Sequence, residues 1–289
     1  MKLYYHKLPN TMKNFGDNLN PWLWNQLLHG ILDEDPTTAF IGIGSLINDN
    51  LPLRTKKARK RVVFGTGVGY GKGIPKIDSF YKIYCLRGLL SARVLGVSEK
   101  LAITDPAVLI RKVFHAKNSK LHRFAYMPHH QLAGKGWELV CRELGFSYID
   151  PGGSVDNVLS CLARTEILLT EAMHGAIVAD ALRIPWIPII TSPTILPFKW
   201  QDWCSSIGLE YRPVYLDRLH HPRNRKDILL PVRVTRNWLR QKTSAAQLLK
   251  AAKNSSPLLS EDTCIERLAT QLDERLEQFK ADVFSGLFS

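Results

Sequence analysis

The residue in this sequence best suited to chemistry is a histidine that directly follows a strand. His174 lies in the segment Glu166 to Ile190, which is typical of a short apolar strand, a turn, a helix of small residues and a second strand. Ligands bind at the carboxyl ends of parallel strands, and an imidazole there can donate or accept a proton near neutral pH. A capping or packing role for His174 is the alternative. Glu171, three residues earlier, could share its turn and tune it.

Other polar side chains also follow predicted strands. His129 and His130 come after the strand Phe124 to Met127, and Arg87 follows another short strand. Residues far apart in sequence converge at the carboxyl edge of a parallel sheet, so both histidines are expected near His174. The guanidinium of Arg87 can fork onto a carboxylate or a phosphate. Two histidines can also reach such positions by chance.

Two loops of small or amide side chains are candidates for substrate contact. Asn14 and Gly16 follow the first strand, and the helix that comes next has Asp17 or Asn18 as its expected cap. Every second residue from 65 to 73 is glycine, so this loop could bring its backbone N–H groups close to a ligand. Helix capping and a merely tight connection are the alternatives. The glycine loop matches neither a dinucleotide fingerprint nor a P-loop.

Composition disfavours several classes of protein. No apolar run reaches the ~18–20 residues that span a bilayer, and the first residues lack the apolar core of a signal peptide. Five cysteines are spread singly, which is typical of reduced cysteines in the cytoplasm. No HxH or HExxH spacing occurs, so no metal site is predicted.

Basic charge is the strongest compositional feature. The net charge is +13, and residues 211–254 contain eleven Lys or Arg against two Asp. Such a surface attracts nucleic acid, anionic membranes or anionic substrates. The cluster Arg54 to Arg61 could imitate a nuclear localisation signal, but a solvated loop and strand entry is favoured. The segment Arg218 to Arg236 is expected to be irregular. The basic amphipathic helix Asn237 to Lys253 could lie on a membrane, although packing on the protein is favoured.

Alternating strands and helices predict an α/β fold with two Rossmann-like domains, each built on a parallel sheet, and additional C-terminal helices. The polar stretch His115 to His122 marks the expected boundary. The predicted units are residues 1–116, residues 117–215 and a basic helical tail, 216–289, packing on the domains or on a membrane.

Five segments carry a family resemblance: Asn14 to Trp22; Val63 to Gly71; Leu86 to Gly88 with Thr104 to Ala107; Met127 to His130; and Glu171 to Ala176. Together, and in this order over about residues 1 to 215, they resemble the polysaccharide pyruvyltransferase family. The likeness is to bacterial exopolysaccharide enzymes of the succinoglycan and xanthan type. It implies a GT-B-like fold and transfer of pyruvate from phosphoenolpyruvate to two hydroxyls of a sugar, as a ketal.

The resemblance also implies roles for residues. His174 is expected to be a proton donor or phosphate ligand, His129 a second proton carrier or donor ligand, and Asp17 to orient or deprotonate an acceptor hydroxyl. Arg87 and Lys199 are expected to hold anionic groups. Further predicted substrate contacts are Asn14, Gly16, Gly67, Gly69, His130 and Glu171. No cofactor is expected beyond phosphoenolpyruvate as donor substrate.

One position departs from the family pattern. Ala172 stands where many members have arginine, so either Arg87, Arg183 or Lys199 replaces that base or the activity differs. The expected partners are phosphoenolpyruvate and a lipid-linked saccharide acceptor. We expect a cytoplasmic protein with peripheral contact at the inner face of an anionic membrane, and no nucleic acid. The rivals are a nucleotide-sugar glycosyltransferase and a non-enzymatic basic protein that binds nucleic acid or membranes.

Overall fold

The first of two sheets consists of four parallel strands in the order β1-β2-β3-β4. The computed structural model describes residues 1–8, 13–115, 119–219 and 230–288, with backbone alone for 230–238. The strands are β1 (Lys2–Tyr4), β2 (Thr38–Ile41), β3 (Lys60–Phe64) and β4 (Tyr81–Cys85). The helices of this half are α1 (Phe15–Leu27), α2 (Leu51–Arg54) and α3 (Leu89–Leu95), followed by the 3₁₀ helices Glu99–Leu101 and Pro106–Lys112.

The second sheet has five parallel strands in the order β6-β5-β7-β8-β9. These are β5 (His122–Met127), β6 (Ser147–Tyr148), β7 (Thr165–Thr170), β8 (Trp186–Ile190) and β9 (Val214–Tyr215). The intervening helices are α4 (Lys135–Leu144), α5 (Val155–Ala163), α6 (Met173–Ala181) and α7 (Pro197–Ser206). The strand order reverses between β5 and β7, which is where such sheets bind ligands. Two parallel sheets with flanking helices confirm the predicted α/β class with two Rossmann-like domains.

Helix α6 joins the two sheets through a shared core. Its small apolar residues are buried, and it packs against α1 and the 3₁₀ helix Pro106–Lys112 of the first half. Short side chains let these helices approach closely. One hydrophobic cluster runs from Phe40 in the first sheet to Leu168 in the second. The carboxyl edges of both sheets therefore face a common cleft.

The two C-terminal helices pack on different halves. Helix α8 (Leu230–Asn254) packs on α4 through Ala245, Leu248 and neighbouring alanines. Packing on the protein is the favoured prediction for this basic helix, ahead of lying on a membrane. Helix α9 (Asp262–Phe284) returns to the first sheet, where the ring of Phe279 lies 5.2 Å from that of Phe40. No helix in the described ranges has both the length and the apolarity to cross a bilayer.

Several predicted boundaries were wrong. Helix α1 begins at Phe15 with Asn14 as its cap, one turn before the predicted cap at Asp17 or Asn18. The pattern from Leu132 to Leu144 predicts a helix, but α4 begins at Lys135, because Gly134 has a φ of 147° and interrupts the helix. Residues 230–236, expected to be irregular, belong to α8, while 220–229 lie outside the described residues.

Candidate active site between the two sheets

A cavity of about 500 Å³ opens between the carboxyl edges of the two sheets. Six of the predicted site residues line it: Asn14, Asp17, His129, His130, His174 and Lys199. The first two come from α1, the two adjacent histidines follow β5, His174 lies in the first turn of α6, and Lys199 lies in α7. Further lining residues, which the sequence did not single out, include Tyr4, His6, Ser45, Asn48, Arg54 and Tyr70. Little in the sequence predicts them as site residues, because polar side chains at such positions are common.

Two helix N-termini meet at this cavity. Asn14 caps α1: its side-chain oxygen accepts from the N–H of Gly16 at 3.3 Å, and its amide donates to Asp17 at 2.9 Å. Helix α6 begins after Ala172 and has no side-chain cap. Unpaired N–H groups and the helix dipole favour an anion at such a terminus. The first turn of α6 is therefore available to a negatively charged ligand.

His174 lies between a buried acid and a glycine. Its Nε2 is 3.6 Å from Oδ2 of Asp105, and both atoms are buried without a hydrogen-bond partner among the described residues. Oδ1 of the same carboxylate accepts from the N–H of Ala107 at 3.0 Å, which fixes the side chain. A Cβ placed on Gly16 would lie 2.1 Å from His174 Nδ1, so only glycine leaves room for the ring.

This arrangement extends the interpretation of Asp105. Asp105 follows a predicted strand, where a structural hydrogen bond is the expected role, and the bond to Ala107 is present. The second oxygen nevertheless faces an imidazole, which the sequence did not reveal. A carboxylate beside Nε2 favours a proton on that nitrogen and leaves Nδ1 as the nitrogen for the cavity. Asp105 is therefore placed to orient His174.

Lys199 is a buried cation held from the opposite half of the protein. Its ammonium donates to the hydroxyl of Tyr70 at 2.7 Å and lies 5.2 Å from the centre of that ring. Burial, together with the nearby charge of Arg87, lowers the pKa of Lys199 to about 8, although Asp17 opposes the shift. Tyr70 adopts a φ of 57°, which is uncommon for a residue other than glycine. The glycine loop thus delivers an aromatic side chain to the cavity.

The two adjacent histidines have different surroundings. Burial, together with the nearby charges of Lys199 and His130, lowers the pKa of His129 to about 3. The N–H of Gln131 donates to His129 Nδ1 at 3.4 Å, so the neutral ring presents Nε2–H as a donor. Burial also lowers the pKa of His130, whose ring centre lies 4.3 Å from that of its neighbour. These contacts fit a ligand role for His129 better than a proton-carrying role.

Glu171 does not reach the cavity. Oε1 accepts from the N–H and the hydroxyl of Thr191 at 2.8 and 2.6 Å. Oε2 accepts from the hydroxyl of Tyr126 and the N–H of His129 at 3.1 and 3.2 Å. Burial raises the pKa of this carboxyl group, and the four hydrogen bonds oppose the shift. Glu171 thus ties together the ends of three strands and positions the backbone of His129.

Arg87 is also internal, contrary to its expected contact with an anionic ligand. Its guanidinium is fully buried and forms an ion pair with Asp202 of α7 at 3.0 Å. It also donates to Ser45 Oγ at 2.6 Å and to the carbonyl oxygens of Gly44 and Val68. These bonds hold the loops of the first sheet against a helix of the second half.

The other predicted glycine contacts are also structural in position. Gly67 lies against Arg87, and a Cβ there would fall 2.3 Å from the guanidinium. Gly69 lies against Ser45 and Leu196, and Gly16 against His174. None of these three glycines lines the cavity. A side chain in place of any of these glycines would displace the residue packed against it, so the glycines affect the shape of the site indirectly.

The structure distinguishes the three bases that could replace the missing arginine at position 172. Arg87 is bound internally, and Arg183 is bound to Asp180, Asp262 and Ser260. Lys199 alone of the three lines the cavity. Within the described ranges, no group of three or more His, Cys, Asp or Glu side chains is arranged to hold a metal ion.

Two comparisons with known proteins bear on this site. Residues 14–193 match the family model of polysaccharide pyruvyl transferases, which covers more than half of the chain and every predicted site residue except Lys199. The chain is also 38% identical over 217 residues to the succinoglycan biosynthesis protein ExoV of Rhizobium meliloti (strain 1021), an alignment covering 74% of this chain and 67% of that protein. The chain therefore belongs to the polysaccharide pyruvyl transferase family of enzymes.

Proposed function

We propose that this protein transfers pyruvate from phosphoenolpyruvate to a sugar of an exopolysaccharide repeat unit and forms a pyruvate ketal. The observation that carries the proposal is the convergence of an imidazole, a buried ammonium group and two helix N-termini in one cavity. A small ligand with both a carboxylate and a phosphate needs that combination of cations and N–H donors. Family membership and the similarity to a succinoglycan biosynthesis protein support the acceptor class.

In the proposed donor complex, the phosphate lies at the N-terminus of α6. Lys199 supplies the positive charge that the family pattern places at position 172. Nε2–H of His129 donates to the carboxylate or the phosphate. This division of roles follows from which side chains line the cavity and from the neutral state of His129.

The proposed reaction begins with a proton from His174 to the methylene carbon of phosphoenolpyruvate, which becomes the methyl group. The first sugar hydroxyl then bonds to the central carbon, and the second hydroxyl displaces phosphate. One hydroxyl proton returns to His174, and the other passes through Asp17, the carboxylate that lines the cavity on the acceptor side, to water. General acid–base assistance of this kind contributes ~10²–10⁴-fold in rate.

The proposal places the reaction in the cytoplasm at the inner face of the membrane, on a lipid-linked acceptor. Helix α8 turns its apolar side to α4, so its exposed basic side chains, such as Lys250 and Lys253, remain available to an anionic surface. The two parallel sheets and the cavity between them support a GT-B-like arrangement. Loss of cosedimentation with anionic vesicles after charge removal on α8 would support this location, and unchanged sedimentation would contradict it.

The test is a reaction with phosphoenolpyruvate and candidate lipid-linked oligosaccharides, followed by phosphate assay and by mass analysis for the ketal. We expect His174→Ala to lose at least ~10²-fold in turnover, because it removes the general acid. His29→Ala is the matched control, because that exposed histidine does not line the cavity. Turnover of His174→Ala within a few-fold of wild type would contradict the role of His174. Sugar transfer from a nucleotide sugar would instead support a glycosyltransferase.

A further inference from the structure

A second recess of about 530 Å³ adjoins the active-site cavity. Tyr4 and Arg54 line both spaces and form the wall between them. We call this second space the basic recess, defined by Lys2, Tyr4, Glu34, Arg54, Lys56 and Lys57. Leu53, also in its lining, has a relative exposure of 70%. A molecule too long for the cavity could continue past Tyr4 into this recess.

The cations of the recess exceed its carboxylates. Four basic residues line it, and the one carboxylate among the lining residues, Glu34, is 2.5 Å from the ammonium of Lys2. Within the described part of the chain, Arg54, Lys56 and Lys57 have no carboxylate partner. Other exposed cations do have one, as in the Arg93–Glu99 pair at 2.7 Å. Crowded like charges repel unless an anion binds among them.

Buried hydrogen bonds fix the segment that carries Arg54, Lys56 and Lys57. Arg61, the last residue of the basic cluster, points inward, and its guanidinium donates to the hydroxyl of Thr55 at 2.8 Å and to the carbonyl of the same residue at 3.3 Å. Thr55 Oγ1 in turn donates to Leu51 O at 2.7 Å. The segment between α2 and β3 is thus fixed on its inner side, while Arg54, Lys56 and Lys57 face outward.

We infer that the basic recess binds the phosphate or diphosphate ester that an extended acceptor saccharide carries at its reducing end. The identity of the ligand as an acceptor saccharide rests on the proposed function. The existence of an anion site rests on the basic residues of the recess and on the wall of Tyr4 and Arg54 that it shares with the cavity. A sugar in the cavity and its ester in the recess would lie on opposite sides of Tyr4. The exposed Leu53 would contact an alkyl chain if the ester belongs to a lipid.

The first experiment measures binding of inorganic pyrophosphate by calorimetry at low salt, with and without saturating phosphoenolpyruvate. We expect Lys56→Gln/Lys57→Gln to raise the Kd roughly tenfold, because two partly screened ionic contacts are lost. The matched control is Lys76→Gln/Lys100→Gln, which removes the same charge from exposed residues that line neither space and should stay within twofold. A Kd unchanged in the recess variant, or equally raised in the control, would overturn the inference.

Two further arms identify the source of the ester. Geranyl diphosphate should bind more tightly than pyrophosphate, and Leu53→Gln should remove that advantage, if the ester belongs to a lipid. Equal binding of both probes assigns the site to a soluble sugar phosphate. In turnover assays the recess variant should raise KM roughly tenfold for a diphosphate-bearing acceptor and less than twofold for the free oligosaccharide. Absence of turnover in every protein would refute the proposed function and leave the pyrophosphate result standing.

Discussion

The pairing of Asp105 with His174 yields the sharpest prediction, through the substitution Asp105→Asn. At the observed 3.6 Å, a carboxylate and an imidazolium attract by about 4–5 kcal/mol at an effective dielectric constant of ~20. Desolvation offsets part of this. We therefore expect Asp105→Asn to remove about 3 kcal/mol of stabilisation from the imidazolium that donates the proton, which reduces kcat by ~10²-fold. KM for phosphoenolpyruvate should change much less, because the donor ligands remain.

Asparagine is the informative substitution because it preserves the local structure. Its side-chain oxygen can still accept from the N–H of Ala107, and asparagine caps a helix about as well as aspartate. Its amide nitrogen would then face Nε2 of His174, donate to it and favour a proton on Nδ1. We expect a change of less than about 1 kcal/mol in the free energy of unfolding, measured by urea denaturation. Asp105→Ala loses the cap as well and separates the two effects.

The assay is a double-mutant cycle on phosphate release. If Asp105 acts through His174, Asp105→Asn should have little further effect on kcat in the His174→Ala background. Two results would refute the reasoning. One is an Asp105→Asn enzyme with kcat within threefold of wild type, and the other is an equal loss in both backgrounds.

Three further predictions concern the walls of the site. Gly16→Ala should lower kcat by ~10²-fold, because its Cβ would overlap the imidazole of His174 and misplace it. Gly73→Ala, whose Cβ would have its nearest neighbour 3.9 Å away, should resemble wild type in steady-state assays. Arg87→Gln should lower the free energy of unfolding by about 3–5 kcal/mol in a urea titration, because it leaves the buried carboxylate of Asp202 unpaired. Arg93→Gln, which breaks the exposed pair with Glu99, should lower it by less than about 1 kcal/mol. KM for phosphoenolpyruvate should rise as pH increases above about 8, where folded Lys199 loses its proton, and Lys199→Arg should remove that rise. Between about pH 8 and 10.5, Lys199 keeps its proton in the unfolded chain but has lost it in the folded protein, so the free energy of unfolding should increase with pH. The affinity for phosphoenolpyruvate should fall over the same range. A free energy of unfolding that does not rise with pH in urea titrations would count against a buried, charged lysine.

The sequence predicted the fold through periodicity and the cavity through topology. His129, His130 and His174 follow strands of one parallel sheet, so their convergence could be read from strand ends alone. Asn14 and Asp17 reach the same cavity because they lie at the N-terminus of α1, the helix that comes after the first strand. Local patterns were sufficient for these residues, since the geometry of a strand–helix junction fixes where the next side chain lies.

Long-range pairing could not be predicted in the same way. Arg87 looks like an anion ligand by its place after a strand, and its burial depends on Asp202, which lies 115 residues away. The role of Asp105 likewise depends on how closely two helices from different halves approach. Lys199 gave no local sign of a perturbed pKa, because burial by the glycine loop causes the shift. Each failure concerns a contact between halves, which no single-segment pattern encodes.

The small-residue helix α6 sets a limit on how this enzyme could be engineered. Because α6 is part of the second half but packs on both halves, a chimera that exchanges either half between relatives would place α6 against residues that do not match it. Grafts that alter acceptor preference should therefore be confined to the loops around β1 and α2, or should carry α1, α6 and the 3₁₀ helix Pro106–Lys112 together. The transferable unit of this protein is a surface loop rather than a whole lobe.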